Sequence, residues 1–191
     1  MSKKIAEQLD EFGRLLHTLF IELPDHPAIT DTFDYVLGAL HGLVQAHRLG
    51  FRDRSTQYVA IYRPHLANYA LEVSKTGPLD AVWTAGYHFN SGIQRLAAAF
   101  DRIPRMLDAR MKKRVRGRMR STTAKERMTE VNPKPFQHWE AVYDEVNAFK
   151  HSPEGGAGGR TVAMNDALFA FEEMMQLISD RKALLTQRYK P

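Results

Sequence analysis

Apolar residues recur at three- and four-residue intervals along nearly the whole chain, and the alternation expected of half-buried strands is hard to find, so the pattern predicts helices throughout. Ile5, Leu9, Phe12, Leu16 and Leu19 trace one stripe, ended by Pro24 and Pro27. A second helix, with Thr30 or Asp31 as its N-cap, carries Phe33, Val36, Leu37, Leu40 and Val44 to a stop near Gly50. The third begins near Ser55 and presents Tyr58, Ile61, Tyr62, Leu66, Tyr69 and Val73 as core, with a kink at Pro64, before Thr76-Gly77-Pro78. The fourth opens with Pro78 in its first turn and runs through Trp83, Phe89, Ile93, Leu96, Phe100 and Ile103 to a break or kink at Pro104. A fifth starts near Pro135 and ends before Pro153. After the loop Glu154-Gly155-Gly156-Ala157-Gly158-Gly159, a last helix from Thr161 carries Leu168, Phe169, Met174, Met175, Ile178 and Leu185 nearly to the C-terminus. The expected fold is all-α, a single domain over 1–191 built as one bundle of about six helices, with short loops favouring antiparallel neighbours.

Composition narrows the chemistry. A chain of 191 residues can bury a real core without staples, and it holds no cysteine, which excludes disulfides, zinc fingers, iron–sulfur clusters and cysteine nucleophiles together. No stretch approaches the roughly 18 consecutive apolar residues of a membrane span, so the expectation is a cytoplasmic protein with no membrane partner. The histidines at 17, 26, 41, 47 and 65 lack the spacing that puts two ligands on one helical face, so no metal and no cofactor is expected. The glycine loop before Arg160 and Thr161 lacks the ending and the preceding strand of a phosphate loop, and no serine-hydrolase motif is present.

Charge divides the chain sharply. Between Arg110 and Arg127, nine Lys or Arg face one acid, a local charge of +8; the whole chain carries +5, so the remainder sums to −3. A mildly acidic body therefore bears one cationic segment, between the fourth and fifth predicted helices, with Met111, Val115 and Met119 as a narrow seam if it is helical. It reads either as a solvated connector or as a phosphate-contacting surface for RNA or another polyanion, with Lys112, Lys113, Arg114, Arg116, Arg118 and Arg120 as its contacts. The seam has no Trp, Phe or Leu to suit a membrane surface, and no aromatic interleaves the cations.

The fifth predicted helix has two faces. Trp139, Val142, Val146 and Phe149 make an apolar seam, while Glu140, Asp144, Asn147 and His151 recur on the opposite side as a polar stripe. That stripe reads as a solvent face, except that Asn and His beside Lys150 are poor helix formers with hydrogen-bonding roles. On the fourth predicted helix His88, Arg95 and Arg102 stand seven apart on one face, secondary candidates for a site.

The stretch Glu145-Val146-Asn147-Ala148-Phe149-Lys150-His151, late in a helical chain and ahead of a loop and a final helix, resembles the signature region of the HEPN superfamily. The resemblance implies a small all-α domain, usually dimeric, from a prokaryotic conflict or defence system, and in many members a metal-independent ribonuclease. The ribonuclease pattern is an arginine, four to six residues, then a histidine, with a polar residue often after the arginine. His151 matches the histidine and Asn147 the polar position, with Lys150 beside them as a third candidate catalytic or ligand-binding residue. The arginine positions hold Asp144, Glu145 and Val146, so the chain departs from the pattern at the residue that offsets phosphate charge. Lys150 or Arg95 is available to stand in.

The resemblance thus implies a homodimeric module that binds RNA or nucleotide, with Asn147, Lys150 and His151 at a cleft between protomers, and without catalysis. The apolar faces of the first, second and last helices, with Met174-Met175, suit such a pairing. Its alternatives are a metal-independent HEPN-type ribonuclease, and a helical adaptor for an acidic protein partner with no nucleic-acid role.

Overall fold

The computed structural model describes residues 2–51, 81–107, 114–115, 118–119, 123–131, 136–151 and 162–189, which fold as seven helices and one minimal strand pair. They are α1 (Ser2–Glu22), α2 (Pro27–Arg48), α3 (Ala81–Leu107), β1 (Arg114–Val115), β2 (Arg118–Met119), α4 (Ala124–Val131), α5 (Gln137–His151), α6 (Met164–Asp180) and α7 (Lys182–Arg188). The fold is all-α. The predicted helix at 55–76, with Pro64 and Tyr58, Tyr62 and Tyr69, lies outside the described residues, as do Pro78 and the glycine loop at 154–159.

The stripe of α1 is buried as its spacing predicts, at Leu9, Phe12, Leu16 and Leu19. The start of α2 differs from expectation. His26, not Thr30 or Asp31, is the N-cap: its Nδ1 accepts the Ala28 N–H at 3.1 Å, and Pro27 takes the first helical position, where a missing N–H costs nothing. Leu37, expected in the core, is 57% exposed, because the buried arc runs through Phe33, Val36, Ala39, Leu40, Leu43 and Ala46. The helix stops at Gly50, whose φ of +80° suits glycine alone, and the turn delivers Phe51 to stack on Phe89 at 4.4 Å.

Helices α2 and α3 cross at two glycines. A Cβ added to Gly42 would sit 2.6 Å from the Cα of Gly92 and 2.7 Å from the carbonyl oxygen of His88, so backbone meets backbone there. The chain then runs through Pro104 without a break. Ile103, Met106 and Leu107 are all buried around it, and the terminal carbonyls are satisfied from far away: Tyr189 Oη donates to Met106 O at 2.9 Å and Arg188 Nη1 to Leu107 O at 2.7 Å. This burial and capping hold the turn that proline would otherwise open.

The cationic segment is not one helix. Arg114 pairs with Met119 and Val115 with Arg118, antiparallel, and the segment's end opens α4. Thr123 and Glu126 form a reciprocal capping box at that start: Thr123 Oγ1 accepts the Glu126 N–H, and Glu126 Oε2 accepts the Thr123 N–H at 2.8 Å.

Two further differences follow from α6. The last helix is divided at Arg181 into α6 and α7, and α6 is the spine of the core, with Ala167, Leu168, Ala170, Phe171, Met174, Met175, Leu177 and Ile178 all buried. Met174 and Met175 are thus interior, not an apolar face left over for a partner, while Phe169, expected in the core, is 46% exposed. Antiparallel packing holds for α1 with α2 (Phe20 on Phe33, Gly13 by Leu40) and for α2 with α3. It fails for α3 and α5. Trp139 Nε1 donates to Leu96 O at 2.9 Å and Tyr143 stacks on Phe100 at 4.8 Å, so numbers rise together and the two helices run the same way.

Candidate functional site

The parallel packing of α3 and α5 opens a cleft at their C-terminal ends, roofed by the first turns of α2. Its volume is about 480 Å³, and small side chains make room for it: Ala28 on α2 and Ala97 and Ala98 on α3. Met106 adds one more apolar surface, and the remaining lining is polar, with Asp31 and Thr32 from α2, Asp101, Arg102 and Arg105 from α3, and Tyr143 and Asn147 from α5. Two residues singled out in the sequence, Arg102 and Asn147, therefore meet at one place.

Arg102 is held in a fixed pose. Its guanidinium lies 3.9 Å over the Tyr35 ring, and Nη2 donates to Tyr35 Oη at 2.8 Å. No carboxylate pairs with it among the described residues. The neighbouring arginines differ: Arg105 pairs with Asp101 at 2.9 Å, and Arg95 reaches Asp34 at 3.7 Å while its stem covers Gly38. The seven-residue spacing of His88, Arg95 and Arg102 is the seam along α2, with His88 beside His41 at 6.3 Å between ring centroids. Of these three only Arg102 reaches the cleft.

The polar stripe of α5 is divided in its duties. Glu140 and Asp144 grip Lys125 of α4, at 2.9 and 2.7 Å, and so tie α4 to α5. The hydrogen bond to Asp144, then that to Glu140, raise the Lys125 pKa above the ordinary lysine value. Asn147, half-buried, lines the cleft one turn further on, and Lys150 and His151 are the final residues of the helix.

The sign of that shift gives a testable consequence. A raised pKa in the fold means that the Lys125 contribution is complete below roughly pH 10.4 and is lost as pH climbs through the higher folded value. Lys125 is 45% exposed, so solvent screening holds the contribution to about 1 kcal/mol or less. Urea midpoints of wild type and Lys125→Met are expected to differ at pH 9 and to converge at strongly alkaline pH; a constant difference would mean that packing, not charge, carries the effect.

The basic segment is depleted from its far end. Lys125 is committed to Glu140 and Asp144, and Arg127 is buried, its guanidinium paired with Asp101. Arg114 and Arg118 stand in the strand pair; Lys112, Lys113, Arg116 and Arg120 lie outside the described residues. Among the described residues no group of three His, Asp or Glu is placed to hold a metal ion, and no helix is long and apolar enough to cross a membrane.

Sequence reading missed Asp31, Tyr35, Asp101, Arg105 and Tyr143 as site residues. Asp101 and Arg105 carry a local signal, an acid and a base four apart flanking Arg102; the contributions of α2 and Tyr143 depend on tertiary packing.

Fold and site together define an all-α protein with a polar cleft between three helices. Compared with family models, characterised proteins and solved structures, the chain finds no match.

Proposed function

We propose that the chain is a HEPN-like helical module that binds RNA without cleaving it, and that the basic segment guides the polyanion toward the cleft of Arg102 and Asn147. The observation that carries this reading is the position of Arg102, an arginine fixed on Tyr35 and free of any carboxylate among the described residues. It lies on the helix from which the basic segment departs, since α3 ends at Leu107 and the cations begin at Arg110. A guanidinium of this kind is suited to phosphate. The HEPN likeness also implies a symmetric pair of chains, although Met174 and Met175 take no part in it.

Replacing Lys112, Lys113, Arg114, Arg116, Arg118 and Arg120 together with Gln is expected to leave the thermal melt unchanged and to abolish retention on RNA. Wild-type retention should fall steeply with salt, since each neutralised phosphate releases counterions. Binding by the variant equal to that of wild type would overturn the reading, and a preference for acidic protein over RNA would favour an adaptor. No metal-independent cleavage of single-stranded or transfer RNA is expected. Turnover abolished by His151→Ala or Lys150→Ala would make the chain a ribonuclease instead.

A further inference from the structure

We infer that the cleft between α2, α3 and α5 is a binding site for guanosine monophosphate, free or as the end of an RNA, a reading that rests on the RNA-binding proposal above. Its volume, about 480 Å³, falls within the range of roughly 300–1,000 Å³ usual for small-ligand sites. Two charged groups in the lining have no ion-pair partner among the described residues, and they are of opposite sign: Arg102 on α3 and Asp31 on α2. The other two are engaged with protein partners: Asp101 is shared between Arg105, at 2.9 Å, and the buried Arg127. A ligand that fits this lining must bring an anion for Arg102 and hydrogen-bond donors for Asp31.

A phosphate satisfies the first requirement. One face of the Arg102 guanidinium is covered by Tyr35 and one N–H is spent on its hydroxyl, so the pose is set before the ligand arrives and the remaining donors meet phosphate oxygens without a rotamer search. Guanine satisfies the second. A carboxylate only accepts. The pairing edge of guanine offers two adjacent N–H donors to it, whereas adenine presents a ring-nitrogen lone pair beside its amino group and is repelled. Asn147 and Tyr143, on the α5 wall, add an amide and an aromatic edge of the kind that reads and cradles a base.

The test is titration calorimetry of the full chain with guanosine monophosphate, adenosine monophosphate and inorganic phosphate. Guanosine monophosphate should bind at least about tenfold tighter than its adenosine counterpart, and inorganic phosphate more weakly than either. Arg102→Met, which keeps a stem over Tyr35, should remove binding of all three. Asp31→Asn, isosteric and on the surface, should keep binding and erase the preference for guanine, with both variants melting as wild type does. A short RNA ending in guanosine phosphate, compared with the same RNA lacking that phosphate, separates an RNA end from the free nucleotide. Equal affinity for the two nucleotides, or Arg102→Met binding as wild type does, overturns the inference. Failure to bind guanosine monophosphate while RNA retention persists overturns the cleft assignment alone. Nucleotide binding in a chain that RNA does not retain overturns the proposed function and leaves the cleft.

Discussion

Gly42→Ala is expected to destabilise the protein by about 3 kcal/mol, although alanine is the better helix former by about 1 kcal/mol. The added methyl carbon would lie 2.6 Å from Gly92 Cα, 2.7 Å from Gly92 N and 2.7 Å from His88 O, all of them backbone atoms of α3. Carbon atoms rest at about 3.5–4.0 Å, and backbone cannot rotate away as a side chain can. Relief requires α2 and α3 to part by something near 1 Å. That would loosen Ala39, Leu43, Ala46, Phe89 and Leu96, all buried along the same seam. For a chain of this size the loss corresponds to a drop of roughly 6–12 °C in Tm. Gly13→Ala is the control: its added methyl would meet nothing closer than Leu40 Cδ2 at 4.0 Å, so it should be neutral or stabilising by up to about 1 kcal/mol. Equal melts for the two variants would show that the crossing is looser than described.

The second large effect belongs to Trp139. The indole is fully buried, set edge-on against Phe100 at 5.0 Å and Phe136 at 5.9 Å, and its N–H reaches Leu96 O. Its backbone N–H donates at 2.8 Å to Glu173 of α6, which caps the start of α5. One residue thus joins α3, α5 and α6. Trp139→Ala should cost about 4 kcal/mol through the cavity left behind, and Trp139→Phe about 1–2 kcal/mol through the lost donor and the smaller void. Because α3 and α5 form the walls of the cleft, Trp139→Ala should also weaken guanosine monophosphate binding beyond what its stability loss alone explains. Denaturant titration and calorimetry on both variants test this pair of expectations.

Helical class was legible because Leu9, Phe12, Leu16 and Leu19 or Trp139, Val142 and Val146 declare a buried arc by spacing alone. What the spacing leaves open is which polar residue caps a helix and how far a proline interrupts it. His26 displaced Thr30 because an imidazole nitrogen caps as a hydroxyl does and Pro27 follows it. Pro104 was absorbed because residues 85 and 84 positions later supply the terminal carbonyls with partners, and no local rule sees that distance. The start of α4 is written in Thr123-Ala124-Lys125-Glu126, a capping box set inside a run of cations whose charge gives no sign of a helix boundary. At the site, Asn147 stands out by residue type and Arg102 by its seven-residue register with Arg95 and His88. Their meeting depends on α3 and α5 running parallel, a tertiary relation that leaves no periodic trace in the sequence.

The seal on the end of α3 also sets an order of events during synthesis. Met106 O and Leu107 O wait for Tyr189, which follows α7, and Arg188, which ends it, more than eighty positions downstream. A nascent chain therefore leaves the carbonyls at the root of its basic segment uncapped, with the cations already made, until Arg188 and Tyr189 have been synthesised.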